Sequence, residues 1–339
     1  MNEVEKLSLL KEQFSNPIAT PQSLPAEFFH PRNQLFHVFS NSEWNAATPT
    51  SDGPALLETN FAAVALISWN IDFLKPCGGP RMTSALSYLS QTVLPSIPTS
   101  QVKIVMLQEM DFADLDIIKS TPWIQESFFV TDIEGMNWKG SPYGTTTLVD
   151  VRVKDRVRSI FRVPFRSRFG RDGLFVDLDL GSTSEPKITR LCNVHLESLV
   201  ADPPVRPSQL ESAAKYMRDP SVSAAALAGD CNAIQPFDET LHSDNGLKDV
   251  FLELGGNEHD KAGFTWGYQS PKSQREQFEK SRMDKVMICG DLKPVELERI
   301  GLGVCVEDED FRREMEELQV MGEEAWVTDH AGLKAILEL

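Results

Sequence analysis

The 339-residue chain is predicted to be an α/β protein in which two β-sheets pack on each other with helices outside them. Three observations predict this: about ten segments of strand character, only a few helical patterns, and no strict alternation between the two. Residues 1–60 carry Pro17, Pro21, Pro25, Pro31, Pro49 and Pro54 among Ser, Thr and Asn, the texture of an extended N-terminal arm. Phe28, Phe29, Leu35, Phe36, Val38, Phe39 and Trp44 are too apolar for a free tail, so part of this arm is expected to pack on a main domain spanning 61–339. Residues 62–70 read as the first buried strand. A helix is expected after Pro80, because Met82, Ala85, Leu86, Leu89 and Val93 recur at helical spacing until Pro95.

Residues 103–109 form the next strand and 111–120 a short helix, followed by β-rich segments at 126–133, 145–153, 157–163, 173–180 and 188–196. Ser208 and Glu211 have capping-box spacing and open a helix with Leu210, Ala213, Ala214 and Met217 on one face. Segments 223–230, 284–289 and 332–339 complete the strands. No internal repeat or low-complexity tract interrupts this order.

Composition narrows the class further. The longest apolar run, Phe61 to Ile67, has seven residues and falls well short of the roughly 18 that mark a membrane span. The opening MNEVEKLSLLKEQF mixes both charge signs and lacks an apolar signal core, which argues against secretion. Five widely spaced cysteines (Cys77, Cys192, Cys231, Cys289, Cys305) without a CxxC pair fit reduced thiols in the nucleus or cytoplasm rather than a disulfide framework or a zinc site. The net charge of −17 disfavours a protein that holds nucleic acid by general attraction. That charge is uneven. Residues 296–324 hold eleven acids and three Arg, a solvated face or a surface for a protein partner; 152–171 holds eight bases and one acid on a predicted hairpin, and the sequence leaves open whether it faces solvent or a cleft.

Polar residues stand where predicted strands end: Asn70, Glu109, His195, Asp230 and Asn232, with Asp329 and His330 just before the last strand. Singly, each fits a turn or a cap. In series, Ser68-Trp69-Asn70, Leu107-Gln108-Glu109, Gly229-Asp230-Cys231-Asn232 and Thr328-Asp329-His330 resemble the signature of the endonuclease/exonuclease/phosphatase superfamily over residues 61–339. The resemblance implies a four-layer α/β sandwich of the DNase I type, monomeric, with a Mg²⁺-dependent phosphodiesterase site (Mn²⁺ as a substitute) at one end.

Within the superfamily, Val194-His195-Leu196-Glu197-Ser198, Arg206-x-x-Gln209-Leu210, Thr265-Trp266 and Ser281-Arg282-Met283-Asp284-Lys285 are similar to segments of the 5′-tyrosyl-DNA phosphodiesterases, the tyrosyl-DNA phosphodiesterase 2 branch. The chain departs at Met283, where animal members carry an aromatic that stacks on DNA. The resemblance implies a DNA 5′ end carrying a tyrosyl adduct as substrate, as in repair of topoisomerase adducts. It assigns Glu109 and Asn70 to the metal, and Asp230 to water, held by Asn70. Asn232, His195 and His330 become phosphate donors, Asp329 the residue that fixes the His330 tautomer, and Asp284 an outer carboxylate that orients the cluster. Tyr143, Arg206, Trp266, Arg282 and Met283 are expected to grip the strand, with Arg275, Lys280 and Lys285 as further phosphate contacts. Alternatives within the superfamily are another metal-dependent nuclease or a phosphatase or phosphodiesterase for a small or lipid-derived substrate; outside catalysis, a binding protein on the same scaffold.

Overall fold

The computed structural model describes residues 24–50, 61–75, 78–138, 142–181, 186–318 and 324–339. Cys77 lies outside them. The arm supplies three strands, β1 (Arg32–Asn33), β2 (Phe36–Ser40) and β3 (Glu43–Ala47). Next come β4 (Ala63–Asn70), β5 (Gln101–Met110), β6 (Phe128–Val130) and β7 (Gly144–Asp150). They are followed by β8 (Val157–Pro164), β9 (Asp172–Asp179), β10 (Ile188–His195) and β11 (Ala224–Asp230). The last are β12 (Lys248–Asp249), β13 (Asp284–Gly290), β14 (Lys293–Ile300) and β15 (Gly332–Glu338).

One sheet runs β1-β8-β9-β10-β11-β13-β12 and the other β14-β15-β4-β5-β7-β6-β2-β3. Their inner faces share a core that includes Leu66, Ile104, Met106, Val176, Leu191, Ala226 and Val286. The helix Gly78–Tyr88 covers the outside of the second sheet through Met82, Ala85 and Leu86, and Arg206–Met217 covers the first through Leu210, Ala213 and Ala214. Helix, sheet, sheet, helix: this is the predicted four-layer sandwich. Being covered on both faces, β4 and β11 are buried at every residue, which is why they read as continuous apolar runs rather than alternating ones.

Differences from the expected elements have local causes. The arm is woven into both sheets, since β1 pairs with β8 and β2 pairs with β6. The helix expected from Ser208 starts at Arg206, and Ser208 Oγ bonds the Val205 carbonyl instead of closing a capping box. Part of the acidic segment is strand β14, whose Glu296 and Glu298 both pair with Lys334 of β15. The helix expected after Pro80 begins two residues before it, and Pro95 sits in its closing 3-10 turn.

Candidate active site

The two parallel pairs bring the site together. β4 and β5 run in parallel with Asn70 opposite Gln108, while β10 and β11 run in parallel with His195 opposite Asp230. Their carboxyl ends therefore open at one edge of the sandwich, one pair from each sheet. The antiparallel neighbour β13 starts at that edge with Asp284 opposite Asp230, and His330 stands just before β15. Gly229 has φ 151°, and a Cβ there would lie 1.8 Å from the Val194 carbonyl oxygen, so only glycine lets β11 deliver Asp230 beside His195. Glu109 sits where the β5–β7 register shifts, with φ 55°; Asp72 (55°) and Asn232 (47°) share this left-handed backbone. Such strain costs about 1–3 kcal/mol per residue and persists where the surroundings impose it.

Below the opening, buried Arg81 donates to the carbonyls of Ile71, Asp72, Lys75 and Val327 and so ties the Asn70 loop to the His330 loop. The Thr328 hydroxyl bonds the Asn70 carbonyl at 2.8 Å, and the Trp69 indole bonds the His330 carbonyl at 3.1 Å. A polar bridge crosses the core between the sheets as well. The Gln108 amide donates to Asn193 Oδ1 at 2.9 Å, and the Asn193 amide donates to the carbonyls of Leu107 and Thr146.

Asn70 Nδ2 donates to Asp230 Oδ2 at 3.0 Å and Glu109 Oε1 at 3.3 Å, while its oxygen accepts the Asp72 N–H at 2.9 Å. That orientation follows from the network, because a backbone N–H needs the oxygen and two carboxylates need the NH₂. Asn232 holds the same acid: its N–H donates to Asp230 Oδ1 at 2.8 Å, and its amide reaches Leu196 O and Asp230 Oδ2. The His330 Nδ1 meets Asp284 Oδ2 at 2.8 Å, leaving Nε2 to face the cluster at 3.8 Å from both Asp230 and Asp329. Arg171 donates to His195 Nδ1 at 2.7 Å and to Ser198 Oγ at 2.8 Å. A guanidinium has no acceptor, so Nδ1 accepts and the His195 proton resides on Nε2. That Nε2 is buried without a hydrogen-bond partner, 3.4 Å from Asp230 and 3.6 Å from Glu109, aimed at the space between them.

Electrostatics separates the two histidines. Burial lowers His330, but Asp284, Asp329 and Asp230 push it well above its usual value, so it is a cation. Burial together with the Arg171 and His330 charges holds His195 well below its usual value, so it is neutral. Burial and Asp72 push Glu109 up to about 8; burial raises Asp72 and Asp230 to about 6. Burial and mutual repulsion thus oppose the ionisation of these three acids despite His330 beside Asp230 and Arg171 near Glu109. Glu109, His195 and Asp230 place ligand atoms within 4.8 Å of one another, and Asp230, Asp284 and His330 do the same. Because His330 is protonated and His195 presents an N–H, the usable donors are carboxylate oxygens, chiefly Glu109 and Asp230. Hard oxygens of this kind fit a divalent cation of the Mg²⁺ or Mn²⁺ type.

All eight sequence-derived catalytic candidates thus meet at one edge of the fold, but several roles change. Asn70 was expected to bind metal; its oxygen accepts one N–H, from Asp72, and its NH₂ orients the two acids. Asn232 was expected to donate to phosphate, yet its amide already serves Leu196 and Asp230. Asp284, not Asp329, holds the His330 Nδ1, and Asp329 Oδ2 instead accepts the Trp266 indole N–H at 2.8 Å.

Among the expected strand contacts, Arg206 is buried against Asp238, and Arg282 against Asp249 and Glu258, so neither guanidinium is presented to a phosphate. Lys285, paired with Glu258, is likewise buried. Tyr143 is 4% exposed and stacks on Phe73, with Arg171 over its ring, so it is a wall rather than an open platform. Met283 is half-buried and its carbonyl accepts the Cys231 N–H. Trp266 sits beside Phe278, which is 53% exposed on the solvent-facing stretch 271–280 with Arg275 and Lys280. Arg171 and Asp72 are site residues that the sequence did not disclose. Arg171 is the member of the basic run that reaches His195, while Arg158, Arg162 and Arg168 pair with acids elsewhere.

The comparisons agree with this fold. The model of the endonuclease/exonuclease/phosphatase family matches residues 67–330. A search of curated proteins gives no match. Among solved structures, truncated Caenorhabditis elegans TDP2 is similar at TM-score 0.60 with 21% identity, covering 82% of this chain and 98% of that one. Danio rerio TDP2 humanised by 14 mutations gives 0.58 with 20% identity, covering 82% and 99%. Danio rerio TDP2 complexed with a single-strand DNA product also gives 0.58, with 19% identity over 82% and 99%. At these identities the likeness is one of fold. With a family model spanning most of the chain and an acid and histidine cluster at the strand ends, the chain belongs to the endonuclease/exonuclease/phosphatase family and is a hydrolase acting on phosphodiester bonds.

Proposed function

We propose that the protein hydrolyses the bond between a tyrosine oxygen and the 5′ phosphate of DNA with Mg²⁺, leaving free tyrosine and a 5′-phosphate end. The observation that carries the reading is Arg171. It is a guanidinium at the reaction centre, stacked on Tyr143 and bonded to both His195 and Ser198 of the His-Leu-Glu-Ser segment. A cation there stabilises the phenolate that leaves when the bond to phosphorus breaks. The fold shared with TDP2, one example of which holds single-strand DNA product, supports a DNA end as substrate. Such a repair activity implies a nuclear or cytoplasmic setting.

Asp230, held by Asn70 and Asn232, orients a water and accepts its proton as the oxygen attacks phosphorus. The neutral His195 donates its Nε2–H, and the cationic His330 its own, to the non-bridging oxygens as charge builds on them. Glu109, with Asp230 beside it, would hold a divalent metal, which when bound would supply Lewis-acid neutralisation of that charge. A phenol with pKa near 10 departs without a strong general acid. Phe278, Trp266 and the exposed bases Arg275 and Lys280 offer a short grip for the strand, through stacking and phosphate attraction.

The test is tyrosine release from a 5′-phosphotyrosyl oligonucleotide with Mg²⁺, alongside unmodified DNA, RNA and inositol phosphates. Release that is abolished in Glu109→Ala and Asp230→Ala is expected. Preference for any of the other substrates overturns the tyrosyl reading while leaving the phosphodiesterase chemistry in place.

A further inference from the structure

Beneath the site, the inner faces of both sheets turn polar in a single layer. Leu66, Met106 and Leu191 belong to the shared apolar core, and two residues further along the same three strands stand Ser68, Gln108 and Asn193. All three are buried, and on β4 and β10 the next inward position is a site residue, Asn70 or His195. A buried amide costs stability unless its hydrogen bonds are made, and apolar side chains of the same shape fill such a layer about as well. Stability alone therefore does not require an amide here.

Strand β5 shows what the layer holds. Its pairing with β7 is regular through Leu107 opposite Thr146 and resumes at Met110 opposite Gly144, so β5 carries one extra residue, a bulge. Plain alternation would turn Met110 to the inner face. The bulge instead sends Met110 to the outer core and Glu109, with φ 55°, to the site. Asn193 pins the root of this bulge from the opposite sheet. Its amide donates to the carbonyls of Leu107 at 3.2 Å and Thr146 at 3.0 Å, the last regular pair, while its oxygen accepts from Gln108 at 2.9 Å. Asn193 stands on β10 two residues before His195, which lies opposite Asp230 on β11.

Glu109 and Asp230 come from different sheets, so the distance between them follows the separation of the sheets at this edge. Apolar packing is non-directional and leaves such a distance soft, whereas a bonded amide fixes it. Mg²⁺ tolerates little error there, since it takes oxygen ligands at about 2.1 Å in near-octahedral geometry.

We propose that Asn193 and Gln108 are positioning residues that set the spacing of Glu109 from Asp230 and thereby the affinity of the site for a divalent cation. The inference rests on the metal reading of Glu109 and Asp230 and is independent of the tyrosyl substrate.

The experiment measures Mn²⁺ binding by titration calorimetry, without substrate, to wild type, Gln108→Met, Asn193→Leu, Asp230→Ala and Ile104→Val, alongside the thermal melt of each in chelator. Gln108→Met keeps an unbranched side chain of similar size and removes the bond to Asn193. Asn193→Leu removes the bridge from the other sheet, and Ile104→Val disturbs the same core four residues earlier on β5. Wild type and Ile104→Val are expected to bind alike and Asp230→Ala to lose binding. Both bridge variants should bind about tenfold or more weakly, the scale of a support behind a metal ligand, while still melting cooperatively. Wild-type affinity in either folded bridge variant overturns the positioning role, and so does an equal loss in Ile104→Val. Failure of both bridge variants to melt cooperatively makes the pair a core support and overturns it as well. No Mn²⁺ binding by wild type overturns the metal reading beneath the proposal.

Discussion

Glu109 is the residue at which function and stability pull apart. Its carboxyl is raised from the usual range to about 8 by burial and by Asp72, so between those values the folded protein holds a proton that the unfolded chain has lost. In metal-free protein, folding stability attributable to this group therefore falls as pH rises from about 4.5 to about 8. Asp72 and Asp230, raised to about 6, act in the same direction over a lower window. Thermal melts in chelator at pH 5, 7 and 9 are expected to show a falling midpoint that Mg²⁺ restores. Glu109→Gln should flatten the upper part of that fall while abolishing activity. A midpoint that rises across this range in chelator would contradict the crowded-acid description.

The histidines make a second residue-level claim. Asp284→Asn removes the carboxylate that holds His330 and is the strongest attraction keeping it cationic, so kcat should drop by about 10²–10³. Arg171→Lys cannot bridge His195 and Ser198 with a planar fork, and a loss of about tenfold or more is expected, with little change in melting. Steady-state rates with matched melts check both. Loss of folding in either variant would make these residues structural supports instead.

At the scale of elements, the chemistry depends on where strands stop and how closely they approach. Gly229→Ala forces a methyl group into the Val194 carbonyl and should prevent folding or cost more than about 3 kcal/mol, measurable by denaturant unfolding. Near-wild-type stability would show that β10 and β11 are less tightly registered than the geometry requires.

Most strands were legible because both-faced burial makes them apolar runs, and the site was legible because its polar residues interrupt those runs at their ends. β14 was hidden by Glu296, Glu298 and Arg299, whose edge-strand alternation with Val295 and Leu297 resembles a charged loop. The arm strands were hidden among prolines. Arg171 was hidden by its neighbours, since eight bases in a run read as surface until the β8–β9 turn carries one of them to His195. Arg206 and Arg282 misled for the converse reason: their partners Asp238, Asp249 and Glu258 lie 24–33 residues away in sequence, and nothing local announces the pairing. Asp72 follows Asn70 by two residues beyond the end of β4, where no run or periodicity singles it out.

For the whole molecule, the net charge of −17 restricts how DNA is held. Pairing removes much of the basic run from use: Arg158 with Asp179, Arg162 with Asp132 and Asp172, Arg168 with Glu197. The exposed 271–280 stretch beside Trp266 sets Lys272, Arg275 and Lys280 against Glu276 and Glu279, a net charge of only +1. Affinity for single-strand DNA should therefore depend weakly on salt, with a log–log slope no steeper than about −2, the value for three phosphate contacts. Fluorescence anisotropy across a salt series checks this, and a slope near −5 would require a basic track that the described surface does not provide. No helix among the described residues is long and apolar enough to cross a membrane.

The central claim is that the acid and histidine cluster directs water onto phosphorus and expels a tyrosine oxygen. Its most direct test is single-turnover hydrolysis of a 5′-phosphotyrosyl oligonucleotide with Mg²⁺ in water labelled with heavy oxygen. The expected result is tyrosine without label and a 5′-phosphate carrying it, with the reaction absent in Asp230→Ala. Label on the tyrosine, or no tyrosine released at all, would contradict the account.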